Sequence, residues 1–140
     1  EINARMGGGQ VRDTHLRVWG VDLVDETLLV TAGVPAHPPR AQQPLCALAY
    51  NYVSAPASGR VAHTDALSRL SERDDVVYAR ALVQPGDEVV GPKEGMPSWV
   101  ADVMIARQTS EEALETVLKV CDAVEVPVDS MDDEVVLASH

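Results

Sequence analysis

The sequence has no apolar run approaching the roughly 18 residues that span a bilayer, so a membrane partner through a transmembrane helix is not expected. It is short of positive charge. With 11 Lys+Arg against 22 Asp+Glu, the formal net charge of −11 argues against a nucleic-acid backbone or an anionic membrane surface as partner. Much of the acidic excess sits at residues 72–75 and 129–134, where solvated surface is the expected reading. Cysteine is scarce as well. Cys46 and Cys121 each lie in an apolar stretch, with no Cys-x-x-Cys spacing and no disulfide framework, which fits two buried free thiols in a reducing, cytoplasmic setting. Neither His37 nor His63 has a second ligand at metal-binding spacing, and no nucleophile–His–acid order stands out. The chain has no initiator Met and no signal-peptide pattern; opening on Glu1, it is expected to be a segment of a longer polypeptide.

What is present divides into four parts: residues 1–34, a proline-rich connector at 35–44, a β-rich lobe at 45–128 and an acidic tail at 129–140. In the first part, Asp13 or Thr14 is positioned to cap a helix whose apolar residues recur at three- and four-residue spacings through Leu16, Trp19, Leu23 and Leu28. Gly20 divides that helix, and Gly33 followed by Pro35 ends it. Four prolines in residues 35–44 and no hydrophobic period predict an extended link. Beyond it, residues 46–54 read as a strand with Tyr50 and Tyr52 on one face, returning through a turn to residues 60–63 as a hairpin. A short helix at 64–73 and strands at 76–83 and 98–106 follow, with a tight turn at Gly86 and Asp87 and a restart at Val89 and Val90. The clearest signal is Thr109 with Glu112 three residues on, a capping box opening a helix whose expected apolar stripe is Leu114, Val117, Leu118, Cys121 and Val124, stopped by Pro127. The class is α+β.

Residues 1–9, Glu-Ile-Asn-Ala-Arg-Met-Gly-Gly-Gly, concentrate the chemistry. On an extended backbone Glu1 and Asn3 leave the same face, so their oxygens can converge on a hard cation. Arg5 continues that face with a guanidinium suited to phosphate or carboxylate oxygens, and the glycines let backbone N–H groups approach an anion. The combination suggests phosphoryl transfer. Farther on, His15 lies on the following helix, with a surface or a site role open to it. Arg12, Arg17 and Arg80 are each able to pair with a substrate carboxylate, and the sequence does not select among them.

The spacing Glu-x-Asn-x-Arg followed by glycines resembles the last nucleotide-site motif of the ATP-grasp carboxylate–amine ligases. Residues 10–15 and the turn at 86–89 extend the resemblance toward members that join β-alanine to L-histidine. The resemblance implies ATP as co-substrate, Mg²⁺ (or Mn²⁺) on Glu1 and Asn3, Arg5 as the catalytic cation on the transferred phosphoryl, and Gly7 and Gly8 lining the substrate pocket. It implies that lysines and a further acid upstream complete the site, so the remainder of the polypeptide is a partner and this segment alone is inactive. It also implies the C-terminal portion of an ATP-grasp fold: metal-motif strand and helices, then a small β-rich lobe with a closing helix. Two alternatives stay open, a ligase of the same family with other substrates and a non-catalytic interaction module built on the same lobe. Self-association is also left open.

Overall fold

The computed structural model describes residues 5–130. Glu1 and Asn3, with the strand expected of them, and most of the acidic tail lie outside the described residues.

Helix α1 (Val11–Trp19) begins three or four residues earlier than its sequence signals, with Gln10 rather than Asp13 or Thr14 in the cap position. No side chain caps it; the Gln10 carbonyl accepts from the Thr14 N–H at 2.9 Å, while the Gln10 side chain is buried elsewhere. Gly20, at φ 73°, ends the helix in the left-handed conformation, its N–H bonded to the Leu16 carbonyl. Helix α2 (Leu23–Thr31) then starts on Asp22, whose carboxylate accepts from Val24 N at 2.9 Å and pairs with Arg12 of α1. The guanidinium of Arg12 holds the Asp22 carboxyl below the usual carboxylate range, aided by the Val24 N–H. Neither helix has a buried residue, and Leu28, Leu29 and Val30 of α2 stand at 63, 44 and 52% exposure.

The connector has no regular structure and is pinned to α1 by Ala41 N–H to Trp19 O and Leu45 N–H to Val18 O. After it come β1 (Ala47–Ser54), β2 (Gly59–Val61), α3 (Asp65–Leu70), β3 (Val76–Ala81), β4 (Glu88–Val89), β5 (Trp99–Arg107), α4 (Ser110–Ala123) and β6 (Val128–Asp129). Strands β1, β5 and β3 form one antiparallel sheet in that order; β4, β2 and β6 form a second.

The expected hairpin between residues 46–54 and 60–63 does not form. β1 pairs along its whole length with β5, Ala47 opposite Arg107 through Val53 opposite Ala101, and β2 crosses to the other sheet. The reason is visible in β5: Val100, Ala101, Val103, Met104 and Ile105 are all fully buried, and backbone N–H and C=O groups this far from water need partners along both edges of the strand. A register shift at Val53 and Ser54 turns the chain away before β2. Gly59 then lets β2 lie against β6, since a Cβ there would meet the Asp129 carbonyl at 2.0 Å.

Helix α4 has its full capping box: Thr109 Oγ1 accepts from Glu112 N at 3.2 Å, and Glu112 Oε2 accepts from Thr109 N at 3.3 Å. Its buried stripe, however, is Ala113, Val117, Val120 and Cys121, while Leu114 and Leu118 remain 54 and 45% exposed. The two stripes share Val117 and Cys121, and the buried face is turned from the Leu114 and Leu118 side toward Ala113 and Val120. Small Ala113 admits the helix close to the sheet, and Val117, Val120 and Cys121 join Val53, Val103 and Ile105 in the core. Each full burial of such an aliphatic side chain contributes roughly 1.5–3 kcal/mol. The helix ends at Ala123, before Pro127. Asp75, expected at the solvated surface, is largely covered, with its side chain 11% exposed between two arginines.

Candidate active site

Because side chains alternate along a strand, the β5 residues that do not face α4 emerge on the opposite face of the sheet. There Asp102 is buried at 4% exposure, opposite Tyr52 of β1 and Arg80 of β3 in the pairing register. Arg80 forks onto it, donating from Nε to Oδ1 at 3.2 Å and from Nη2 to Oδ2 at 3.0 Å. The hydrogen bonds from Arg80 to Asp102 raise the guanidinium's pKa, so Arg80 stays charged. Its guanidinium carbon stands 3.8 Å from the centroid of the Tyr78 ring. Burial, and next the charge of Asp102, push the Tyr78 phenol up to about 12, and its hydroxyl has no hydrogen-bond partner among the described residues.

The same cluster receives the end of the glycine loop. Gln10, 7% exposed, donates from Nε2 to the Tyr52 hydroxyl at 3.1 Å and, more weakly, to Asp102 Oδ2 at 3.4 Å. Tyr52 in turn stacks on Trp99 with ring centroids 4.2 Å apart and planes within 7°, and meets Tyr50 edge-on at 6.2 Å. A buried amide thus clips residues 5–9 to the β lobe.

Of the residues singled out for the site, Arg5, Gly7 and Gly8 are described and exposed; Glu1 and Asn3 are not among the described residues. Arg5 makes one local bond, Nη1 to the Met6 carbonyl at 3.2 Å, and no ion pair among the described residues, which leaves most of its guanidinium available. It borders a cavity of about 460 Å³ with Leu23, Glu26 and Thr27 of α2. Glu26 Oε2 is buried there without a partner among the described residues. Gly7 sits close to α1, where a Cβ would meet the Val11 side chain at 2.8 Å, and Gly8 faces open space.

The structure separates the three arginines that the sequence left equal. Arg12 is committed to Asp22 and Arg80 to Asp102, whereas Arg17 has no ion pair among the described residues. His15 is exposed on α1, without a side-chain hydrogen bond among the described residues. No group of three or more His, Cys, Asp or Glu among the described residues is arranged to hold a metal ion. Cys46 is half-buried, its thiol 3.7 Å from the Arg17 carbonyl, and Cys121 is buried. Sequence reasoning missed Gln10, Glu26 and Asp102. Only Asp102 carried a signal: one charge inside the apolar run from Val100 to Ile105 must find a partner.

This fold, with an arginine–glycine loop clipped to a helix-backed antiparallel sheet, is that of the C-terminal part of an ATP-grasp ligase. It superposes with a TM-score of 0.76 on the crystal structure of L-amino acid ligase from Bacillus licheniformis, at 14% identity, covering 91% of this chain and 31% of that one. The chain therefore spans about a third of that ligase's length. The family model for L-amino acid ligase C-terminal domain 2 matches residues 51–129, and the chain belongs to that family. No curated protein matches it.

Proposed function

We propose that this chain is the C-terminal part of an ATP-dependent carboxylate–amine ligase, and that the ligase is carnosine synthase. The family match over residues 51–129 supports the ligase class. The observation that supports a catalytic role for this segment is the exposed Arg5, without an ion pair among the described residues, on a glycine loop anchored by Gln10. In this reading ATP phosphorylates the β-alanine carboxylate, the α-amino group of L-histidine attacks the acyl phosphate, and ADP and phosphate leave. Arg5 holds the oxygens of the transferred phosphoryl, where negative charge is concentrated. Gly7 and Gly8 line the substrate pocket. Glu26, with its buried carboxylate oxygen beside Arg5, accepts from the β-alanine ammonium. Glu1 and Asn3 would hold Mg²⁺ or Mn²⁺, which when bound neutralises phosphate charge. The division at 1–34, 35–44, 45–128 and 129–140, a cytoplasmic setting, and adenine and phosphate clamps in the rest of the polypeptide belong to the same proposal.

The test is product formation by mass spectrometry with the intact polypeptide, ATP and one amino-acid pair at a time. β-Alanine plus L-histidine should give carnosine, and 4-aminobutyrate should substitute poorly, since one methylene is worth only ~1–3 kcal/mol of discrimination. ADP release with other pairs and none with this one would remove the name and leave the ligase class. Arg5→Lys should lower kcat more than ATP affinity. Glu26→Gln should raise the KM for β-alanine and leave ATP binding unchanged. Calorimetry of the 140-residue chain with Mg·ATP should show weak or no binding, and tight binding would mean that the nucleotide site is misplaced.

A further inference from the structure

On the side of the sheet remote from Gln10, helices α3 and α4 diverge around a pocket of about 680 Å³. Arg69, Arg73, Arg107 and Lys119 line it, and no carboxylate does, in a chain whose net charge is −11. The floor is apolar, formed by Ala66, Leu70, Val120 and Val124.

The cations are held in place rather than scattered. Asp75, behind the wall, accepts from Arg73 Nε and Nη2 at 2.9 Å each, and also pairs with Arg107 Nη2. Arg107 Nε donates to Thr116 Oγ1 at 3.3 Å. One carboxylate therefore orders two guanidiniums and compensates only one of their charges, and Arg73 and Arg107 each keep an Nη1 edge in hand. Lys119 is shared with Glu115 in a solvent-exposed pair, which yields readily to a competing anion. Arg69, on the last turn of α3, has no ion pair among the described residues. Asp74, Asp75, Glu112 and Glu115 line an adjoining depression that shares Arg107, Thr116 and Lys119 with the pocket. Arg69 and Arg73 line the pocket and not that depression, so they are the cations that face the pocket alone.

We infer that this pocket binds a small organic anion with an apolar body, its carboxylate between Arg69, Arg73, Arg107 and Lys119 and its hydrocarbon on Leu70 and Val120. The site is independent of the ligase reading, because it lies across the sheet from the Arg5 loop and shares no residue with it. Its volume accommodates a phenyl or branched aliphatic acid with room for solvent.

The experiment is an NMR titration of the isotope-labelled 140-residue chain with 3-phenylpropionate and, separately, with the uncharged 3-phenylpropan-1-ol. Saturable shifts are expected at the Ala66, Val120 and Val124 methyl groups with the acid and far weaker ones with the alcohol. Arg69→Gln and Lys119→Gln change exposed side chains, and each should weaken the acid about tenfold or more, as for one charge-assisted hydrogen bond. Circular dichroism establishes that the variants fold. The inference is overturned if the acid causes no saturable shift at millimolar concentration, if acid and alcohol bind alike, or if the shifts centre on the exposed Leu28 and Leu29 of α2. Unaltered affinity in both variants would overturn it as well.

Discussion

Replacing Arg80 by Met strands a carboxylate in the interior and measures how much of the lobe rests on it. Asp102 is 4% exposed and takes two hydrogen bonds from Arg80, at 3.2 and 3.0 Å, against one long one of 3.4 Å from Gln10. Without the guanidinium, the Gln10 amide is the one side-chain donor left to the charge among the described residues. Truncating one partner of a buried ion pair costs about 3–5 kcal/mol, nearly all of it the desolvation of the partner left behind. The Arg80 side chain is half-exposed, so water already screens the pair, which places the expected loss near the lower end, about 3 kcal/mol. For a domain of this size that is a fall of roughly 10 °C in Tm. The reverse replacement, Asp102→Asn, leaves an arginine that water can reach and an amide able to keep one hydrogen bond, so it should cost less, about 1–2 kcal/mol. Urea unfolding of both variants at pH 7, with unchanged m-values, is the assay. An Arg80→Met loss below about 1 kcal/mol, or a larger loss from Asp102→Asn, would refute the claim that the buried carboxylate, not the pair as such, sets the energy.

Tyr78→Phe should be neutral or stabilising by up to about 1 kcal/mol, because it deletes a buried hydroxyl without a partner among the described residues; a loss above that, read by the same urea curves, would mean that the hydroxyl is satisfied. With the Tyr78 phenol raised from 10.0 to about 12, the folded state retains a proton that the unfolded chain gives up, so stability falls as pH climbs from 10 toward 12, and Tyr78→Phe flattens that limb. Asp75 has the opposite sign: the hydrogen bonds from Arg73 depress its carboxyl, so its contribution is present above the unfolded value of about 3.9 and is lost as pH falls through the lower folded value; Asp75→Asn should remove that acid-limb dependence. In thiol labelling of the native chain at pH 8, Cys46 should react first, while Cys121, its thiol pushed up to about 11 by burial, waits for unfolding; simultaneous labelling would contradict its place in the core.

Local signals in the sequence mark elements well and their partners poorly. The capping box at Thr109 and Glu112 and the stop at Gly20 depend on residues within a turn of each other, and both stand in the structure as read. The hairpin failed because pairing is a long-range choice. Residues 46–54 suit a strand next to any extended neighbour, and the continuous apolar run of β5, about fifty residues on, outcompetes the three-residue β2 by burying more surface. The stripe of α4 holds at Val117 and Cys121 and departs at Leu114 and Leu118, because Leu114 and Ala113 flank the same face and only the approach to the sheet decides between them.

The candidate site is proposed from residues adjacent in the sequence, and the sequence is silent on the contacts that the fold assembles around them. Arg5 and the glycines stand together in the chain and are exposed in the structure. Gln10 looked like the first polar residue after a glycine run. Its amide reaches Tyr52, 42 positions away, and Asp102, 92 positions away, contacts that no spacing rule contains. Arg80 illustrates the same limit from the other direction: as a free cation it was a candidate for substrate, and burial of Asp102 beneath it assigns its Nε and Nη2 edges to holding the sheet together. The consequence reaches back to the loop. The amide that clips the glycines to the lobe shares its Asp102 acceptor with that ion pair, so a change at Arg80 or Asp102 alters the footing of Arg5 without touching it, and Gln10 is the side chain that carries lobe stability into loop position beside the backbone ties from α1 to Ala41 and Leu45.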